Sequence, residues 1–355
     1  MKRHLGITFL FLISIYSFSY SQTFDEGVEQ FENGNLEEAK STFDALKNSD
    51  KDNPEIYYYL GRIEFDKDEY KRATNQFKKA ADLDGGNSHY RMWLGHSYGR
   101  QAQNASVLKQ AGLARNSRRN YERSIELDPG NIEARESAME YYLQAPKFVG
   151  GGRGKAENQA NEIEKLDLEA GIIAWGRVYT YYDEVEFAEN HYKMAIENHP
   201  ELMVSYYQLY NFYFNRQDYS SAADIAIQQL QINDTTAAIY NNLGNAQQRD
   251  GLFDQAMENY YKTLELNEEF YNSWYQIGRL AAVSGEYLEE GKDHIERFIA
   301  LDSEVGNGWL TWGYLRLGEI HEHMNEIEEA KSAYNAALDI DKGFDQAKEA
   351  LSDLD

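Results

Sequence analysis

Small residues return along this chain on a fixed beat, and that beat limits what it can fold into more than any local feature does. Gly27, Gly61 and Gly95 lie 34 residues apart, and after an irregular stretch Gly176, Tyr210, Gly244 and Gly278 keep the same step. A second series, Ala39, Ala73, Ala188, Ala222 and Ala256, trails members of the first by 12 residues. Aromatic residues follow alanines by four, as Phe43, Phe77, Tyr192, Tyr260 and Tyr334. A period of this length marks an array of small units, none of which can bury its apolar face without its neighbours. Apolar residues at three- and four-residue spacing, such as Tyr57 and Leu60, then Ala73, Phe77 and Ala80, make each unit two amphipathic helices. The small series mark the crossing of the two, where a larger side chain would wedge them apart.

Short polar breaks end the first helix of a unit: Asn33-Gly34-Asn35, Arg249-Asp250-Gly251 and Ser284-Gly285 permit a tight reversal. Asp128-Pro129-Gly130 and His199-Pro200 end second helices, because proline lacks the donor that continuation needs. Nine pairs follow, beginning near residues 23, 55, 88, 132, 169, 203, 237, 271 and 309. A last helix from about Gly343 to Leu354 carries Phe344, Ala347, Ala350 and Leu351 on one face and caps the stack. The expected fold is all-α, a right-handed α-solenoid filling residues 22–355 as one domain. Three inserts break the beat: ten extra residues near 101–116, a Gly-rich run near 146–155, and six extra residues near 303–308.

Around the small residues stand Leu60-Gly61, Leu94-Gly95 with Tyr98, Trp175-Gly176 with Tyr179, Leu243-Gly244, and Trp274 before Ile277-Gly278. With the alanines, the aromatics that follow them and the closing prolines, these residues resemble the tetratricopeptide repeat (TPR) over nearly the whole chain. The Ala145-Pro146 pair and the glycines after it resemble an insertion found in some bacterial proteins of that family. The resemblance implies a binding fold rather than an enzyme.

The amino terminus reads as an address. Lys2, Arg3 and His4 precede an uncharged run from Leu5 to Phe24, and small Ser19 and Ser21 suit cleavage ahead of Gln22. This resembles a bacterial Sec signal over residues 1–21 and implies a periplasmic or secreted protein; an uncleaved amino-terminal anchor is the competing reading. With no cysteine there is no lipid-bearing Cys, disulfide, thiolate nucleophile or Cys-ligated metal. Lys+Arg 35 against Asp+Glu 60 gives a net charge of -25, which lacks the basic footprint of nucleic-acid binding.

Gly150 to Lys155 resembles a phosphate cradle, but Val149 and Ala156 occupy the places where a Walker loop needs Gly and Ser or Thr, so a structural turn is expected. His321 and His323 are two apart and face opposite sides of a helix, with His294 the nearest third candidate; solvated helix-end histidines are expected rather than a metal site. No nucleophile-elbow motif is present. The chain is read as non-catalytic, with no cofactor.

The family resemblance implies that first helices line a concave groove. It places ligand contacts three residues before the small Gly, just after it, and four or five after it. Those places hold Tyr58, Arg62 and Phe65; Met92, His96 and Arg100; Arg177 and Tyr181; Tyr207, Asn211 and Asn215; Asn241, Asn245 and Arg249; and Tyr275 and Arg279. Arginines recurring there in an acidic chain point to a partner segment whose carboxylates they pair, with Asn amides on its backbone and Tyr beside its apolar side chains. Bridging of Glu and Asp between neighbouring repeats is the bland reading of the same arginines. The expected function is an interaction scaffold of the cell envelope. The alternatives are an accessory subunit of an envelope enzyme or secretion machine, and a glycan-binding solenoid using the surplus Tyr.

Overall fold

The structure is a computed structural model that describes residues 23–354, so the expected signal segment lies outside the described residues. Those residues form nineteen α-helices, no strand, and two single turns of 3-10 helix. They fall into two compact units meeting at Leu166 and Asp167. The first holds α1 (Phe24–Glu32) and α2 (Leu36–Ser49), α3 (Pro54–Asp66) and α4 (Tyr70–Leu83), α5 (Ser88–Gln103) and α6 (Val107–Leu127), and α7 (Ile132–Gln144) and α8 (Arg153–Leu166). The second holds five further pairs. They are α9 (Leu168–Tyr181) and α10 (Val185–Asn198), α11 (Met203–Asn215) and α12 (Tyr219–Ile232), α13 (Ala237–Arg249) and α14 (Phe253–Leu266), α15 (Tyr271–Ser284) and α16 (Leu288–Ile299), and α17 (Asn307–His323) and α18 (Ile327–Ile340). A terminal helix, α19 (Asp345–Asp353), buries Ala347 behind Phe344 and packs on Tyr334 and Leu315. The chain is thus an α-solenoid of helix pairs, each stacked on the next within its unit.

Local chemistry starts and stops these helices. Asn53, Asn87, Asn131 and Asp167 cap first helices by accepting an amide of the opening turn, and Thr23 with Glu26 forms a capping box. The reversals within pairs share one geometry. The amides of Asn35, Glu69, Glu184, Asp218, Leu252 and Glu326 each reach back to a carbonyl five residues earlier, and the residue before each has positive φ. That residue is glycine only at Gly34 and Gly251; Asp68, Asp183, Gln217 and Asn325 adopt the left-handed conformation elsewhere, which hides the turn from a search for glycine.

Every glycine of the main series except Gly278 sits beneath a ring from the second helix of its own pair. A Cβ on Gly61 would stand 2.6 Å from Phe77, one on Gly95 2.6 Å from Tyr121, and one on Gly244 2.7 Å from Tyr260. On Gly176 and Gly318 it would overlap Tyr192 and Tyr334. The ring follows its glycine by 16 residues, and by 26 from Gly95 to Tyr121, where the ten-residue insert intervenes. In the sixth pair the sizes are exchanged: Tyr210 holds the glycine position and Ala226 the ring position, both buried. In the fourth, buried Met139 and Ala160 make the same exchange. Gly278 meets Ile295 instead of a ring.

The inserts take defined forms. The first becomes helix, lengthening α5 to 16 residues and α6 to 21. In the second, Pro146 ends α7, a 3-10 turn follows at Lys147–Val149, and α8 already begins at Arg153, so Gly154, Lys155 and Ala156 are helical rather than loop. In the third, Gly306 (φ 75°) opens α17 early, giving it 17 residues with Asn307 and Gly308 inside the helix.

Gly61→Ala is expected to cost about 1–3 kcal/mol by overpacking against Phe77. The cost should shrink when Phe77→Leu is made alongside it, so a double-mutant cycle in urea should show coupling. Simple additivity of the two changes would mean that the glycine is not reading the ring.

Candidate binding site

The expected groove residues fare differently in the two units. In the first, Arg62 of α3 is enclosed. Its guanidinium lies 3.9 Å from the Trp93 ring centre, 5.2 Å from Phe31 and 5.9 Å from Tyr58, and it donates to the Tyr58 hydroxyl at 3.0 Å. Phe65 packs edge-on against Trp93 and Tyr70. Arg100 donates to the Tyr70 hydroxyl at 2.8 Å and 3.1 Å. These arginines do bridge neighbouring repeats, but through rings and a phenol rather than through Glu and Asp. Met92 is fully buried and belongs to the core, not to a groove.

His96 lies between the rings of Trp93 and Tyr121, and its Nδ1 is 3.1 Å from the Tyr121 hydroxyl. Burial, and then the nearby Arg62 cation, push its pKa down to about 4, so at neutral pH it is uncharged and shares a single hydrogen bond with the phenol.

In the second unit, Tyr181 and Tyr207 are half exposed, and Arg177 is exposed on α9. Asn211 and Asn215 line a cleft of about 200 Å³ whose charges, Asp183, Glu184 and Arg216, are of mixed sign. Asn241 is buried and accepts the Ser273 hydroxyl at 3.0 Å, joining α13 to α15; it is a structural residue. Asn245 accepts the Tyr260 hydroxyl at 3.1 Å.

Three of the expected residues, Arg249, Tyr275 and Arg279, come together. They line a cavity of about 510 Å³ across the first helices α13, α15 and α17, with Gln276, Gly308, Trp309, Trp312 and Arg316 completing it. Arg279 donates to the side-chain carbonyls of Gln248 and Gln276, each at 3.2 Å. Arg316 lies over the Trp312 ring and pairs with both oxygens of Glu319, at 2.6 Å and 2.9 Å. Among the described residues, neither Arg249 nor Arg279 has a carboxylate within 4.0 Å. Burial, then the like charge of Arg249, lower Arg279 below the usual arginine value, though a guanidinium remains charged. The cavity therefore holds positive charge that its own walls do not neutralise, beside an indole, Trp309, that is half exposed. Such a site suits a carboxylate next to an apolar or aromatic side chain.

Other motifs are accounted for within the chain. The amides of Gly150, Gly151 and Gly152 donate to the carbonyls of Lys147, Pro146 and Tyr142, and the Lys155 ammonium donates to the Gly150 carbonyl at 2.9 Å. The run is a turn with its donors used internally. His321 is buried and paired with Glu326 at 2.6 Å, contrary to the solvated histidine expected, while His323 meets the Ala282 carbonyl at 3.0 Å. No helix among the described residues is long and apolar enough to cross a membrane.

Family models described as tetratricopeptide repeat match residues 24–88, 237–270 and 313–344, and the chain carries tetratricopeptide repeats there. No curated relative matches. Similar solved structures include YrrB, described as a TPR protein with an unusual peptide-binding site (19% identity, 54% of this chain and 97% of that one, TM-score 0.43). A tetratricopeptide repeat protein from Parabacteroides merdae matches at 14% identity over 70% of this chain and 93% of that one, TM-score 0.43. A monomeric mutant of IFIT1 matches at 16% identity over 88% of this chain and 79% of that one, TM-score 0.43.

His96 gives a pH signature. Its pKa is about 4 when folded and near 6.5 unfolded, so the unfolded chain binds the extra proton between those values. Stability should be full above pH 6.5 and decline as pH falls toward 4, by ~3 kcal/mol at most. The difference in urea midpoint between the native chain and His96→Gln should track that window; a difference flat with pH would contradict the burial of a neutral ring.

Proposed function

We propose that this tetratricopeptide-repeat protein is a non-catalytic scaffold that holds an acidic segment of a partner protein against the Arg249, Arg279 and Arg316 face of its second unit. Tetratricopeptide repeats in general serve protein–protein interaction and are in general non-catalytic. The observation that carries the reading is the pair of arginines, Arg249 and Arg279, left without a carboxylate in a chain of net charge -25. Acidic side chains abound, yet these two charges are left unneutralised, and apart from the Arg279 nitrogen bonded to Gln248 and Gln276 their donors stay available. Tyr275, Trp309 and Trp312 supply the apolar contact that would flank a bound carboxylate. The partner is read as an envelope protein, because Lys2, Arg3 and the apolar run behind them resemble an export signal.

The exposed rings of Tyr181 and Tyr207 favour a second reading, stacking on a glycan. Retention on a polysaccharide resin, lost in Tyr181→Ala and Tyr207→Ala, would support it.

The test is affinity capture from the host envelope with the native chain beside an Arg249→Glu/Arg279→Glu variant of unchanged helical content, read by mass spectrometry. A genuine groove partner should bind the variant about tenfold or more weakly, since each charge-assisted contact is worth roughly 1.5–3 kcal/mol. Partners indifferent to the change would remove the groove from the account.

A further inference from the structure

The first unit carries a second feature that the repeat face does not explain. Between Asp84 and Glu122 there is no carboxylate, and six cations occur: Arg91, Arg100, Lys109, Arg115, Arg118 and Arg119. In a chain with 60 acidic residues, such a window is a sharp reversal of charge. It covers α5 and most of α6, including the ten-residue insert that lengthens both helices.

The same helices build a cleft. A cavity of about 420 Å³ opens between the end of α5, the start of α6, and the Pro146 turn after α7. Its apolar lining includes Ala102, Val107, Ala111, Ala114, Tyr141 and Phe148. Val107 is 84% exposed, Leu108 beside it 96%, and Phe148 73%, which places large apolar side chains in water on the rim. No carboxylate lines the cavity, whereas Gln103, Gln110 and Gln144 do. Lys109 and Lys147 are neighbours in sequence of the lining residues Gln110 and Phe148, and the Arg115 charge acts on the Tyr141 phenol. Among the described residues, none of these three cations has a carboxylate within 4.0 Å.

We infer that this cleft, built by the two inserts of the third and fourth pairs, is a docking surface for an acidic amphipathic segment of a partner protein. Its apolar side chains would fill the pocket between Val107 and Phe148, and its carboxylates would meet Lys109, Arg115 and Lys147. Charge complementarity selects the acidic partner. Gln144 already donates to Glu140 and Gln103 already accepts from Arg100, but the Gln110 amide has no such bond among the described residues, and a polypeptide backbone satisfies it where hydrocarbon does not. The inference stands apart from the Arg249 and Arg279 face, because it uses other helices in the other unit.

A displayed library of random peptides, panned on the full chain already carrying Arg249→Glu/Arg279→Glu, tests it with the other face disabled. The expected result is enrichment of peptides that intersperse Asp and Glu with Leu and Phe. Their affinity should fall about tenfold or more in Lys109→Glu/Arg115→Glu and, separately, in Phe148→Asp. All three side chains are exposed, so thermal melts of the variants should match the parent. No enrichment, or enriched peptides indifferent to these changes, would overturn the inference. Phosphatidylglycerol-containing vesicles form the second arm. Flotation of the chain with them, abolished by the same substitutions while no acidic peptide binds, would replace a protein partner by a membrane surface.

Discussion

The fit of a ring into the notch left by a glycine is the contact from which the rest of the structure is built. In each regular pair the second helix reaches back with one aromatic side chain, and the first helix has nothing at that place for it to strike. Burying such a side chain is worth roughly 1.5–3 kcal/mol, and the gain depends on close approach. What recurs along the chain is one small residue set against one large one. Tyr210 over Ala226 and Met139 with Ala160 put the large residue on the first helix and the small one on the second, and both members stay buried. Because the contact fixes how closely paired helices sit, it also fixes how each first helix is presented to its neighbours.

That contact explains why the pairing was legible in sequence. Its two members recur at a separation too regular to miss, and capping residues bracket the helices, so the nine starts fall within two residues of those observed. The form of the inserts was not legible. Counting shows ten surplus residues after Gly95, but surplus length extends helices or makes a loop with equal ease. The choice is made by Ser117, Tyr121 and Ser124, which keep α6 seated on α5 while its first turns run on into solvent. At the Gly-rich run, Ala156, Ala160 and Ile163 are buried and pull the chain into α8 at once, which a glycine count cannot foresee.

The candidate site was half legible, for a related reason. Positions three before the glycine turn toward the neighbouring pair, so Met92, Asn241 and Tyr275 are buried although Tyr207 is not. Positions one and five after it face outward more often, and Arg279 and Arg249 came from those. Trp309, Trp312 and Arg316 were out of reach of the repeat register, because α17 starts early and presents a turn that other first helices lack. Equivalence in the repeat does not confer equivalence in role. Arg62 shares its repeat position with Arg279, yet three rings close over it, whereas Arg279 borders a cavity.

Both cationic places adjoin breaks in the period, and the acidity of the remainder gives that arrangement a kinetic consequence. Periodic positions are occupied by the packing of one pair on the next, so surface free of that duty is supplied by inserts. An acidic partner approaching this chain meets net repulsion at long range, which salt screens beyond about 8–10 Å, and attraction only near the exposed arginines. Raising ionic strength should therefore speed encounter while shortening the life of the complex, the two effects opposing each other in affinity. A segment whose carboxylates match the local cations gains enough at contact to offset the approach, and one with the same charge in the wrong places does not. For the proposed acidic partner, the surrounding negative charge would in this way reject competitors by geometry, which a uniformly basic groove would not do.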